Sequence, residues 1–255
     1  MIKKMNVNFN LVFILLLHLF VTNCNLFLSK GEKIQKAIES NDVEKVKSLI
    51  TDRTLFFTKD SIVPFYLHTA VKTNNLEMVK LLVENQFPID NQNVYGNAPI
   101  LEAYRLGSKE ILEYLAKKGA NVHGEEGSLM METLIKEDWK MFEYLLDNAT
   151  YLKSRNKKNE VLFSVIDKGS LHAVKLFMKR GFSVNTKDEY AGSLLIKAST
   201  LGHFTIVKYL CENGANINEK SKYGVSPLSA ASNKGHSEIV DYLKELGADV
   251  DTIDQ

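Results

Sequence analysis

Chemistry in this 255-residue chain would have to come from six histidines, two cysteines and a few clustered carboxylates, and their spacing supports little of it. The histidines are His18, His68, His123, His172, His203 and His236. None forms H-x-x-x-H or H-E-x-x-H, which would set two imidazoles on one helical face, and no Cys-x-x-Cys pair offers two thiolates. A nucleophilic serine would call for G-x-S-x-G, and a phosphate cradle for G-x-G-x-x-G or a Walker loop; neither occurs. Glu125 and Glu126 stand side by side in HGEEG, where a solvated turn explains them better than an acid/base pair. Catalytic residues, metal ligands and cofactors are therefore not expected.

A period organises the rest. GHFTIVKYLCENGANIN (Gly202–Asn218) recurs as GHSEIVDYLKELGADVD (Gly235–Asp251), 33 residues on, with Gly214 and Gly247 in step. Weaker copies begin at Asn41, Asn74, Gly107, Glu137 and Gly169. Counted from the leading residue, position five reads Val46, Val79, Leu112, Phe142, Val174, Val207 and Val240. Position eight reads Leu49, Leu82, Leu115, Leu145, Phe177, Leu210 and Leu243. That spacing puts an apolar stripe on a short helix. A glycine follows in four copies, where the left-handed turn that ends a helix is cheap. A shorter helix precedes each leading residue, marked four positions upstream by Ala37, Ala70, Ala103, Ala198 and Ala231, with Thr133 and Val165 in the weaker copies. Pro99 and Pro227 sit in its first turn, where a missing N–H is harmless. A helix pair this small cannot bury its apolar face alone, so the copies must stack.

These segments resemble ankyrin repeats, whose pattern runs T-P-L-H-x-A, then G-H, then V-x-x-L-L, then G-A. The resemblance covers about Gly31 to Ile253 and is strongest in the last two copies. It implies an all-α solenoid of about seven helix–turn–helix repeats with hairpin-like loops, at approximately 31–59, 60–92, 93–122, 123–154, 155–187, 188–220 and 221–255. It also implies a protein-binding scaffold and not an enzyme. His68 in YLHTA stands at the motif histidine, whose implied duty is to hydrogen-bond a neighbouring turn; His203 and His236 occupy the Gly-His corner, with an implied structural role. The fourth copy departs most, with Glu137 and Ala149 in place of both glycines. Lys45 and Ser48 in the first copy and Lys244 and Glu245 in the last read as polar capping faces, so a complete array is expected. KSRNKKNE (Lys153–Glu160) reads as a solvated loop between repeats, and Cys211, beside Leu210, as a small buried core residue.

With 32 basic and 31 acidic residues the chain is close to neutral, which gives no reason to expect nucleic acid as a partner. Partner specificity is expected where the copies differ. The turns NQNVYGN (Asn91–Asn97), TKDEYAG (Thr186–Gly192) and EKSKYGV (Glu219–Val225) should project as fingers carrying Tyr95, Tyr190 and Tyr223. Packing at the finger base is the expected duty of these tyrosines, and anchoring a partner is the alternative. On the first helices Thr69, Lys72, Glu102, Arg105, Lys197, Thr200 and Asn233 should line a concave groove of mixed charge, suited to a polar protein partner. The array itself is expected to be monomeric.

The leader MIKKMNVNFNLVFILLLHLFVTNC lies outside the period. Lys3 and Lys4 precede an apolar run, Leu11 to Val21, of signal-peptide length and short for a membrane span. V-T-N-C (Val21–Cys24) resembles the bacterial lipobox, in which diacylglycerol is attached to the cysteine sulfur and the chain is cleaved before it. Asn23 departs from the usual Gly, Ala or Ser. The resemblance divides the chain into a lipoprotein-type signal peptide (1–23), a short tether (24–30) and the repeat domain (31–255). It places the protein in the bacterial cell envelope, anchored to the membrane through Cys24. The alternatives are an uncleaved membrane helix from Leu11 to Leu28, a soluble periplasmic or secreted form, and a leader packed on the first repeat. From another class, the rival is an enzyme or enzyme accessory with its site in the irregular fourth repeat.

Overall fold

The computed structural model describes residues 30–50, 65–123 and 128–249. These residues form fourteen α-helices in seven consecutive pairs. The pairs are α1 (Lys30–Glu39) with α2 (Val43–Ile50), α3 (Tyr66–Lys72) with α4 (Leu76–Glu84), and α5 (Pro99–Arg105) with α6 (Lys109–Lys117). They continue as α7 (Leu129–Ile135) with α8 (Trp139–Asn148), and α9 (Arg155–Asp167) with α10 (Leu171–Lys179). The last two are α11 (Leu194–Leu201) with α12 (Phe204–Glu212), and α13 (Pro227–Asn233) with α14 (Ser237–Glu245). Among the described residues the one isolated β-bridge joins Lys187 to Ser193, so the fold is an all-α repeat array.

The chain divides into two compact units, Met1–Leu115 and Ala116–Gln255. In the first, α1 packs on α3 and α3 on α5, while α2 packs on α4. In the second, α9, α11 and α13 follow one another in the same way, as do α10, α12 and α14. First helices thus stack on first helices and second on second, the arrangement that lets each pair bury the apolar face its neighbour leaves open. The periodic positions form the cores: Val46, Val79, Leu112, Phe142, Val174 and Val207 are buried, as are Leu82, Leu115, Leu145, Phe177, Leu210 and Leu243. Leu49 and Val240 keep part of their surface. The small residues Ala37, Ala70, Ala103, Thr133, Ala198 and Ala231 are buried too, where a larger side chain would hold neighbouring first helices apart.

Local chemistry sets the ends of the helices. Asn75, Ser128, Asp138, Ser154, Ser170, Ser193 and Ser226 cap their N-termini, each side chain accepting from a backbone N–H three residues on. Every corner between paired helices turns on one left-handed residue, even where glycine is absent: Asn41 (φ 59°), Asn74 (φ 53°) and Glu137 (φ 53°) stand in line with Gly202 (φ 76°) and Gly235 (φ 74°). At Gly202 a side chain is excluded for a second reason, since a Cβ would lie 2.6 Å from Cε1 of the His236 ring.

The residues expected as a solvated loop, Lys153–Glu160, are mostly helical. A 3₁₀ turn (Thr150–Lys153) leads into α9, which Ser154 caps by accepting from the Lys157 N–H at 3.2 Å. Lys157 pairs with Glu160 one turn on, so the charges line the solvated start of a helix whose later turns bury Val161, Leu162, Val165 and Ile166. At the end of the preceding helix Ala149 keeps φ −68° and ψ 122°, where Gln86, Gly119, Gly181, Gly214 and Gly247 of other copies turn left-handed. Thr150 then donates its hydroxyl to the Lys117 carbonyl, 2.6 Å away. Cys211 is half-buried, not fully enclosed, and its surroundings still push the thiol up to about 11, chiefly by desolvation. No helix among the described residues is long and apolar enough to cross a membrane. The leader, Cys24 and the Glu125–Glu126 turn lie outside the described residues.

Candidate protein-binding surface

In the first unit the finger before α5 is a closed polar turn. Asn93 Oδ1 accepts from the N–H groups of Tyr95 (2.9 Å) and Asn97 (3.1 Å), and the Asn93 N–H donates to the Asn97 carbonyl. With these N–H groups satisfied within the turn, Val94 and Tyr95 are left at the tip, 78% and 82% exposed. Tyr95 therefore does not pack at the finger base. The same holds for Tyr223, 74% exposed, and for Tyr190, 50% exposed. In each finger the first turn residue caps the tyrosine's N–H (Asp188 for Tyr190, Ser221 for Tyr223), so the ring falls at the turn's outer corner.

Beside the first finger, α1 and α3 form one side of a cavity of about 460 Å³ lined by Gln35, Phe65, Thr69, Lys72, Val94 and Tyr95, among others. Three of the expected surface residues, Thr69, Lys72 and Tyr95, thus meet at one place. Glu102 lies behind them, bridging His68 Nδ1 (2.6 Å) and Lys72 Nζ (3.4 Å). His68 is buried, and its Nε2 reaches the Asn91 carbonyl at 2.8 Å, tying α3 to the base of the finger as its motif role implies. Thr69 is committed as well: it accepts from Gln35 Nε2 on α1 and donates to the Phe65 carbonyl. Arg105 is exposed at the end of α5, outside the cavity lining.

The second unit sets two fingers side by side. The Lys222 N–H donates to the Tyr190 carbonyl, Lys222 Nζ to the Glu189 carbonyl, and Lys187 pairs with Glu219. These cross-links bring the Tyr190 and Tyr223 rings to 6.1 Å between centroids, 31° from parallel. Interaction with the neighbouring Glu189 carboxylate raises the Tyr190 phenol above its usual value. On the first helices the half-buried Lys197 pairs with Asp167 of α9 at 2.7 Å, and the half-buried Thr200 turns its hydroxyl onto the Ile196 carbonyl of its own helix. Asn233 is exposed. No group of three or more His, Cys, Asp or Glu that could hold a metal ion occurs among the described residues.

The family model for ankyrin repeats matches residues 10–126, 129–221 and 162–254. The chain belongs to the ankyrin-repeat family. The first match begins at residue 10, upstream of the Gly31 expected from the periodic pattern. A Rickettsia felis protein that carries the name ankyrin repeat protein is 33% identical over 99 residues, which is 38% of this chain and 41% of that protein. The chain therefore spans less than half the length of that relative.

Ankyrin repeats mediate protein–protein contact in general, and in this member two features of the candidate surface escape a residue-by-residue scan for chemistry. Val94 and Phe65 complete the apolar part of the cavity. Val94 was legible in principle as an apolar residue inside an otherwise polar finger; Phe65 lies just outside α3 and carries no periodic mark. The corner histidines act as the resemblance implies. His236 Nε2 meets the Thr200 carbonyl at 3.1 Å, and the His203 ring lies against Gly169, where a Cβ would come within 2.9 Å.

Proposed function

We propose that this ankyrin-repeat protein is a non-catalytic scaffold that binds another protein, exported to the bacterial cell envelope and held at the membrane by a lipid on Cys24. The observation that carries the binding part is the cavity of the first unit with Val94 and Tyr95 on its rim. Apolar and aromatic side chains held out in water by a hydrogen-bonded turn gain when a partner covers them. The anchoring part is supported by the Lys3–Lys4 start, the apolar run to Val21 and the V-T-N-C sequence. Two acyl chains on one sulfur would hold the protein stably, at about 0.8 kcal/mol per buried methylene.

Two measurements test the two parts separately. A photo-crosslinking amino acid at position 94, with exported protein in intact cells, should capture one predominant protein; an empty lane with the chain well expressed rejects the scaffold. Intact mass of protein extracted from membranes should match residues 24–255 plus a diacylglyceryl group. Retention of residues 1–23 would reject the lipid anchor in favour of an uncleaved helix.

A further inference from the structure

We propose that the paired finger tips of the second unit hold an arginine side chain of the partner, its guanidinium laid on the exposed rings of Tyr190 and Tyr223 and its edge turned to the Glu189 carboxylate. This rests on the protein-binding reading above and adds the chemistry of one contact.

The cross-linked fingers make the platform. Tyr190 is half exposed and Tyr223 mostly so, and their rings lie 6.1 Å apart between centroids, 31° from parallel. At that separation the rings meet each other, so an occupant must lie on the faces they turn outward. A π-face attracts a cation, and a planar guanidinium best of all because it stacks flat. The chain uses this contact internally: Lys80 stands over Tyr114, Arg155 over Phe182, Lys157 over Tyr151 and Lys175 over Tyr209. Among the described residues no cation stands over Tyr190 or Tyr223, which leaves their faces to a cation from outside.

The charges beside the rings select the same ligand. Asp188 accepts from the N–H groups of Tyr190 and Gly192, and the exposed Glu189 makes no ion pair among the described residues. The lysines of the two fingers are engaged elsewhere. Lys187 pairs with Glu219, Lys220 has a partner as well, and the Lys222 ammonium donates to the Glu189 backbone carbonyl, not to its carboxylate. The charged groups that act on the Tyr190 phenol are Glu189 and, less, Asp188; both raise it, and no lysine counters them. The rings thus sit in an anionic setting. A guanidinium answers both features at once, its plane on a ring and its forked edge on a carboxylate, where a lysine ammonium is a compact and strongly hydrated point. An acidic segment, or the phosphates of a nucleic acid, would meet the two carboxylates unfavourably.

The test is an array of random dodecapeptides probed with the detergent-solubilised full chain, wild type and variants. Wild type should select a set of peptides that carry arginine, and replacing that arginine by alanine should weaken them about tenfold, by lysine less. Tyr223→Leu, which keeps an apolar side chain at this exposed position but no ring, should weaken the same spots about tenfold, while Tyr223→Phe should keep them. Glu189→Lys should convert the preference at that place from arginine to Asp or Glu, a gain that unfolding cannot mimic. Val94→Asp, in the other unit, should leave the arginine-bearing spots unchanged. Selection of acidic or proline-rich peptides without arginine overturns the inference. So does retention in Tyr223→Leu, or a Glu189→Lys protein that keeps the arginine preference or binds no acidic peptide. The crosslink from position 94 is read separately: an array without spots beside a positive crosslink overturns this inference alone, and failure of both counts against the protein-binding reading as well.

Discussion

Gly202 and Gly235 occupy the same corner of successive repeats and have nearly the same backbone, φ 76° and 74°, yet alanine should cost much more at the first. Any residue with a Cβ loses about 1–2 kcal/mol in the left-handed region. At Gly235 that is the whole effect, because an added Cβ meets nothing within 4 Å. At Gly202 it would lie 2.6, 2.8 and 3.0 Å from Cε1, Nδ1 and Nε2 of His236, so the ring must leave. Leaving breaks the bond from Nε2 to the Thr200 carbonyl, for a further loss of about 0.5–1.5 kcal/mol. Gly202→Ala should therefore destabilise by about 1.5–3.5 kcal/mol and Gly235→Ala by about 1–2 kcal/mol. The assay is urea unfolding followed by far-UV circular dichroism, run in the wild-type and His236→Ala backgrounds. Without the imidazole the excess cost at Gly202 should vanish, giving a coupling of about 1 kcal/mol in the double-mutant cycle. Equal losses at the two glycines, or an excess that survives His236→Ala, would refute the reasoning.

Phe142, fully buried and edge-on to Phe177 at 6.4 Å, should cost about 3–5 kcal/mol when truncated to alanine. Its ring also meets Trp139, the one tryptophan of the chain, so the emission maximum of the folded variant should move with the loss of stability. Asp147 is held below the ordinary carboxylate value of 3.8, chiefly by its hydrogen bond from Arg180. The stabilisation is complete above that value and fades as pH falls through the lower folded-state one. Asp147→Asn should therefore lower the urea midpoint near neutral pH by an amount worth about 0.5–1 kcal/mol, a half-exposed pair being partly screened, and the two proteins should converge in acid. Because burial raises the Cys211 thiol to about 11, iodoacetamide at neutral pH should label its peptide more than tenfold more slowly than an unfolded cysteine, and urea should abolish the difference.

How much of this was legible depends on whether a residue's role is repeated. The apolar stripe from Val46 to Val240 recurs at helical spacing, so the helices and their buried faces follow directly from the sequence. The left-handed corner was legible wherever glycine marked it, and Asn41, Asn74 and Glu137 take the same conformation at the corresponding corners without that mark. Residues 153–160 misled because their composition is that of a loop. The signal was Ser154 followed by Lys157 and Glu160 one turn apart, a capped and paired helix start beneath the charges. The tyrosines misled for a related reason. A ring at a regular position suggests packing, but it is the turn that repeats: once Asn93, Asp188 or Ser221 caps the tyrosine N–H, the ring is left at the tip.

The polar residues of the first helices looked alike in sequence and divide in three dimensions by what already engages them. Glu102 serves His68 and Lys72, Thr69 serves Gln35, Lys197 serves Asp167, and Thr200 offers its carbonyl to His236. Substituting Glu102, Thr69 or Lys197 disturbs the stack along with the surface, so lost binding there would not distinguish a contact from a support, whereas the Thr200 carbonyl is backbone and survives a change of its side chain. Val94, Tyr95 and Tyr223 are mostly exposed, and truncating them removes little buried area. A binding defect at those three, with unfolding unchanged, has one explanation: the partner touches them. Partner specificity in this array is therefore best sought at the finger tips, where the fold makes the fewest demands on the side chain.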